Sequence, residues 1–248
     1  MSNTRRAAAG SQPRQERFAS SPEFNKGLMA NLVARRCQVL ERREDRKIIW
    51  FLQHLSHSAG GLRAVAEELV KRFPNSRTIG ESDEFLAQQL SEHLEKLCLD
   101  PSISIESADP WFFHGLFQSL HEFQAVWVNR IRADFVLTEI GKRVFAELDY
   151  TRETGTACMV NGRPGAGKSR AAKAWCALHP DEARYVEVPS SNDDIAFYRN
   201  IAKSLGVSIN QNSKAQELRQ RIEDTLQSGD LMIVFDEAHY LWPNLIDP

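Results

Sequence analysis

Paired cysteines are missing from this sequence. The four that occur, Cys37, Cys98, Cys158 and Cys176, form no C-x-x-C motif and have no histidine at metal-ligand spacing, which suggests neither a zinc site nor a disulfide framework and fits a reducing cytoplasmic setting. Long apolar runs are missing too. No stretch approaches membrane-spanning length, and the short Ala run after Arg5 and Arg6 gives way to polar residues before a signal-peptide hydrophobic region could form. The expectation is a soluble protein with no membrane partner. Nor is there the overall basic excess that would by itself announce a nucleic-acid binder, since the formal net charge is -2. The charge is unevenly spread, however. Residues 1–50 hold 11 Lys and Arg against 5 Asp and Glu, a local +6 that leaves -8 for the rest. A basic arm that touches phosphates and a solvated tail both fit that asymmetry.

What is present is enough apolar content, 42%, for cores in two modest domains. Residues 1–25 are rich in Ser, Ala, Arg, Gln and Pro without apolar periodicity and read as a disordered basic tail. Helical spacing takes over from Leu28 to Phe73, most clearly in Leu62, Val65, Ala66, Leu69, Val70 and Phe73, and Pro74 with Asn75 stops it. A further helix is predicted over Asp83 to Cys98, with Phe85, Leu86, Leu90, Leu94 and Leu97 on one face and Pro101 beyond it. Another spans Trp111 to Ile131. Residues 26–133 are therefore expected to be an all-helical domain, with no internal repeat.

After Gly155 the pattern becomes short apolar runs separated by helices. Thr156 to Asn161, Tyr185 to Pro189 and Leu231 to Phe235 read as buried strands. Helices are predicted at Lys168 to Leu178, Ile195 to Leu205 and Lys214 to Gln227, the last behind the capping-box pattern Ser213-Lys-Ala-Gln216. Such alternation implies an α/β domain with a three-layer parallel sheet, placed at residues 134–248.

One motif carries chemistry. Gly162-Arg-Pro-Gly-Ala-Gly-Lys168-Ser169 fits G-x-x-x-x-G-K-[ST], with a predicted strand before it and a helix after it. Its glycines let the backbone N–H groups turn inward, and the new helix adds unpaired N–H groups and its positive dipole end, so a triphosphate meets a cradle of donors. The candidate nucleotide-binding set is Gly162, Arg163, Pro164, Gly165, Ala166, Gly167, Lys168, Ser169 and Arg170. In it Lys168 reaches the β- and γ-phosphates and Ser169 ligates Mg²⁺. Downstream, Leu231 to Phe235 ends in Asp236-Glu237, which delivers two carboxylates to the sheet edge where ligands of open α/β folds bind. Asp236 is the second candidate metal residue, and Glu237 is the candidate for activating water, alongside Lys168 as a catalytic group. ATP and Mg²⁺ are the expected cofactors. A glycine-rich turn and a solvated acidic pair are the plain alternatives. His239 reads equally as a contact near the γ-phosphate or a neighbouring subunit and as a surface histidine.

Phe135-Val-Leu-Thr138-Glu-Ile, the P-loop, Ala171-Ala172 and Asp236-Glu-Ala-His239-Tyr-Leu241 together resemble the AAA+ transposition ATPases typified by the B protein of phage Mu, and are similar also to secretion-associated ATPases of the ExeA-like kind. The resemblance covers about residues 134–242. It implies that Phe135, Val136 and Thr138 enclose the adenine side of the nucleotide, and that the protein assembles as a homo-oligomer on double-stranded DNA, delivers target DNA to a transposase and stimulates it. Action on protein partners without DNA is the alternative that the secretion relatives imply, and an inactive remnant is a third. Family members continue beyond this point with a polar sensor strand, arginine fingers and a helical lid. The chain runs eleven residues past Glu237, so the expected sheet is incomplete at its C-terminal end. Mu-type proteins often carry an N-terminal helix-turn-helix. The helices at Leu62–Phe73 and Asp83–Cys98 read either as its remnant or as a packing or oligomerisation unit, and their connector is longer than an ordinary helix-turn-helix turn.

Overall fold

A computed structural model describes residues 27–72, 81–105, 108–133, 135–190, 193–210 and 212–241. The expected tail at 1–25 and the helix stop at Pro74 and Asn75 lie outside them. Five helices come first: α1 (Ala30–Gln38), α2 (Arg43–Ser56), α3 (Gly61–Arg72), α4 (Asp83–Leu99) and α5 (Leu116–Ala133). Then follow α6 (Glu139–Thr154), α7 (Lys168–Leu178), β1 (Ala183–Glu187), α8 (Asp194–Leu205), α9 (Ala215–Leu226) and β2 (Met232–Asp236), with a short 3-10 turn over Ala238–Tyr240.

The helical part is organised around α2. Its run Ile48-Ile-Trp-Phe-Leu52 is buried on every side of the helix, as expected of a central helix, and α1, α3, α4 and α5 all pack against it. Arg36 on α1 is buried among these helices with its guanidinium spent on main-chain carbonyls, those of Leu97 (3.0 Å), Pro101 (3.3 Å) and Ile103 (2.6 Å). It thereby satisfies acceptors that the end of α4 leaves open. The helix predicted from Trp111 begins five residues later, because the Asp109 carboxylate accepts from the N–H groups of Gly115 (2.7 Å) and Leu116 (2.9 Å) and sets the start there. Phe85, expected on the buried face of α4, is exposed in the first turn of that helix. Ser213 does not cap α9: its hydroxyl accepts from Asn210 N–H (3.2 Å), and Lys214 stands at the N-cap without a side-chain bond.

β1 and β2 pair in parallel, with Tyr185 opposite Val234 and Glu187 opposite Asp236. Alternation along the strands divides their side chains between two cores. Ala183, Tyr185, Met232 and Val234 face a small cluster built by Val144, Leu148, Ala171 and Trp175 of α6 and α7. Val186 and Ile233 face the large cluster, which runs without a break from α8 and α9 into α1 to α5. The described sheet thus lies between two helical layers, but it has two strands. Thr156 to Asn161, predicted as a buried strand, is extended chain, exposed except for the half-buried Val160. No described strand lies alongside to accept and donate its ladder bonds, and an unpaired strand has nothing to hold it in the sheet.

Candidate functional site

The P-loop connects this extended segment to α7. Gly165 (φ 75°) and Gly167 (φ 91°) take left-handed backbone conformations, and a Cβ added at either would meet no atom within 4 Å, so both are glycine for conformation rather than for space. Gly167 is the N-cap residue of α7, and no side chain caps that end. The first-turn N–H groups therefore face outward with the positive end of the helix dipole, a ready anion site. Lys168 is folded back across the loop, donating from Nζ to the carbonyls of Gly162 (2.8 Å) and Arg163 (3.0 Å). Ala166 N–H closes the turn on Arg163 O (3.4 Å). Gly162, Arg163, Pro164, Gly165 and Arg170 are exposed, and Ala166, Lys168 and Ser169 are half-buried.

The start of α7 and the end of β2 converge on Asp236. Its carboxylate accepts from the Tyr185 hydroxyl on β1 and from the following backbone N–H of Glu237 at 3.0 Å, and the Ser169 hydroxyl of the P-loop lies near enough to favour its charged form. Partial burial works against ionisation, but Tyr185, Ser169, the Glu237 N–H and the nearby Lys173 outweigh it and hold the Asp236 carboxyl below the usual range. Burial and the bond to Asp236 push the Tyr185 phenol up, so it stays a donor. Lys173 Nζ lies 4.9 Å from the centre of the Tyr185 ring and 3.9 Å from Glu187, which adds a cation beside the carboxylates.

Glu237 follows with φ 54°, ψ 35°, a left-handed conformation rare for a residue with a side chain. Its carboxylate is exposed and 3.2 Å from His239 Nδ1, so His239 is placed as a partner of Glu237 at the surface. The three residues proposed for the adenine side sit before and at the start of α6. Phe135 stacks on Phe145 at 5.9 Å, Val136 is 85% exposed, and the Thr138 hydroxyl caps α6 by accepting from Gly141 N–H (3.1 Å). Thr138 thus has a structural task of its own.

These residues fit Mg²⁺ with a nucleotide. Among the described residues no group of three His, Cys, Asp or Glu could hold a metal by itself. A cation here would rest on Ser169 and Asp236 and on phosphate oxygens, which is the usual way Mg²⁺ is held. The phosphates would lie on the N–H groups of the loop and of α7, with Lys168 released from its two carbonyls. When bound, Mg²⁺ supplies neutralisation of charge on the phosphate oxygens. Tyr185 and Lys173 were not legible as members of the site. The one signal for Tyr185 is a hydroxyl-bearing residue within an apolar run.

Among the described residues no helix is long and apolar enough to cross a membrane, and the four cysteines are free, with Cys37, Cys98 and Cys176 buried. No curated protein and no solved structure matches the chain. A family model does match, that of the AAA domain, over residues 151–247, from the end of α6 through the P-loop and beyond β2. The stretch that holds both the P-loop and Asp236-Glu237 is therefore similar to the nucleotide-binding domains of AAA-type P-loop ATPases.

Proposed function

We propose that this chain binds ATP with Mg²⁺ on the loop Gly162–Ser169 and hydrolyses it, with Asp236 and Ser169 holding the metal, Lys168 on the β- and γ-phosphates and Glu237 orienting water. The observation that carries the reading is the approach of Ser169, at the N-terminus of α7, to Asp236, at the end of β2, beside an uncapped helix start. The hydroxyl and the carboxylate come from positions 67 residues apart in the sequence. Their convergence is what a shared cation requires. Glu237 lies next to that point, at a strained backbone position of the kind that clusters at functional sites.

The finer reading is an ATP-dependent, DNA-binding regulator of transposition that works as a homo-oligomer with a transposase. It rests on the resemblance of the motifs at Phe135–Thr138, Gly162–Ser169 and Asp236–Leu241 and on the basic excess of residues 1–50. The test has two arms. Titration calorimetry with Mg·ATP should show binding that Lys168→Ala weakens by about 1.5–3 kcal/mol, the range for hydrogen bonds to charged groups. Equal affinity in the variant and the parent would remove the P-loop assignment. In the second arm, binding to random-sequence duplex DNA should need ATP and fall steeply with salt. ATP binding without DNA binding would replace transposition by action on a protein partner.

A further inference from the structure

A second concave site lies on the opposite side of β1 from Asp236. Between the segment 27–29, α2, Arg184 of β1 and the turn after α8 there is a cavity of about 400 Å³. Among the described residues its charged and titratable lining is basic throughout, His54, His57, Arg184 and Lys203, with no acidic residue.

Arg184 is the unusual member. It is buried, and its guanidinium donates only to neutral acceptors, the carbonyls of Pro180 (2.6 Å) and Ala183 (2.9 Å) and the Gln53 side-chain oxygen (2.9 Å). Among the described residues no carboxylate stands within ion-pair distance of it. A buried cation without a direct ion pair is costly, and the attraction of nearby Asp181 offsets that cost only in part. One further polar group of the lining is unspent: among the described residues the Ser204 hydroxyl is buried with no hydrogen-bond partner. The glycines at the edge are placed by the same groups. A Cβ on Gly206 would strike the Gln53 amide and the His57 ring at 2.5 Å, and one on Gly27 would strike the His57 ring at 2.3 Å. The walls are thus set closely around Gln53 and His57.

We propose that this cavity is a binding site for an oxyanion, a phosphate or carboxylate group carried by a small molecule, held by Arg184 and His54 with Ser204 as donor and Lys203 at the mouth. Electrostatics agrees with the geometry. Burial lowers the Arg184 pKa to about 10, with buried Asp181 pulling the other way from outside the cavity lining. Burial, then the charge of Arg184 and then His57, lowers that of His54 to about 4. His57 is lowered too, by burial and by Arg184, against its bond to the Leu28 carbonyl. Two neutral histidines beside an arginine are donors in waiting: an anion between them would favour their charged forms and be bound by them. A volume of about 400 Å³ is in the range of small-molecule sites and larger than a bare oxyanion needs, so the group belongs to a metabolite-sized ligand.

The site is separate from the P-loop, and the experiment keeps it so. The full chain carrying Lys168→Ala, which disables the other phosphate site, is titrated with inorganic phosphate and separately with citrate while the histidine ring protons are followed by NMR. The expected result is saturable movement of the His54 and His57 signals and a rise in both titration midpoints. The phosphate arm responding alone identifies a phosphoryl ligand, and the citrate arm responding alone a carboxylate. Lys203→Glu, at an exposed position, and His54→Gln should each weaken the response by about tenfold, the equivalent of one charged hydrogen bond. Histidine signals that stay fixed with both anions, or a response equally strong in both variants, would overturn the proposal.

Discussion

Tyr185 donates its hydroxyl across the sheet to the carboxylate of Asp236. The register makes this a diagonal contact, since Glu187, two residues on, is the residue directly opposite Asp236. Tyr185 is therefore a positioning residue for a carboxylate that the P-loop serine also reaches. Replacing it with Phe keeps the ring against α7 and removes the Tyr185 hydrogen bond to Asp236. The Mg²⁺ concentration that half-saturates ATP binding should rise, by a few-fold to about tenfold, since one hydrogen bond to a charged group is worth about 1.5 kcal/mol or less while the Glu237 N–H remains. Nucleotide affinity without Mg²⁺ should stay as it is. A Tyr185→Phe protein with unchanged Mg²⁺ dependence would reduce Tyr185 to a packing residue.

The chemistry of this region was legible where it is local. A glycine-rich loop with its lysine and serine, and a strand ending in two acids, point to nucleotide chemistry by spacing, and the structure brings Ser169 near Asp236. What was hidden depends on neighbours far along the chain. Tyr185 reads as a strand residue until β1 is laid beside β2. Thr138 carries a motif resemblance, yet its hydroxyl is engaged as a helix cap. Thr156 to Asn161 has strand composition, but a strand needs a ladder partner, which no local pattern can supply. The helix periods predicted α3 and α4 closely, because burial on one face is a repeating signal. The start of α5 was missed because a single carboxylate, Asp109, decides it from outside the helix.

Arg36 shows the same dependence in the helical part. It is 2% exposed and joins α1 to the end of α4 through three carbonyls that no other side chain of α1 reaches. Arg36→Ala would open a cavity and leave those acceptors without their donor. The expected loss is on the order of 3 kcal/mol in urea unfolding, the combined scale of a truncated core side chain and unsatisfied buried polar groups. Arg36→Lys should recover part of it, since one ammonium cannot serve three carbonyls set for a planar fork. A change below about 0.5 kcal/mol for Arg36→Ala would mean that water replaces the guanidinium without cost.

The histidines around the basic cavity set an acid limit on stability. Burial, the positive charge of Arg184 and that of His57 hold His54 neutral in the folded protein down to about pH 4, whereas the unfolded chain takes up its proton near 6.5. A lowered folded-state pKa means that the unfolded state binds more protons between those values, so stability is full above about pH 6.5 and falls as pH drops toward 4. His57 and His179 shift in the same direction, both chiefly by burial, and add to the slope. Asp181 opposes them: burial and the neighbouring Glu182 raise its carboxyl pKa, so its protonation favours the folded state at the acid end. Urea unfolding followed from pH 7.5 to pH 4.5, in a buffer free of phosphate and carboxylates, should show stability falling through this window, with His54 alone contributing a slope that approaches about 1.4 kcal/mol per pH unit. His54→Gln should flatten the profile by that amount while leaving the value at pH 7.5 little changed. If the parent and the variant follow the same curve, His54 is not the group that titrates.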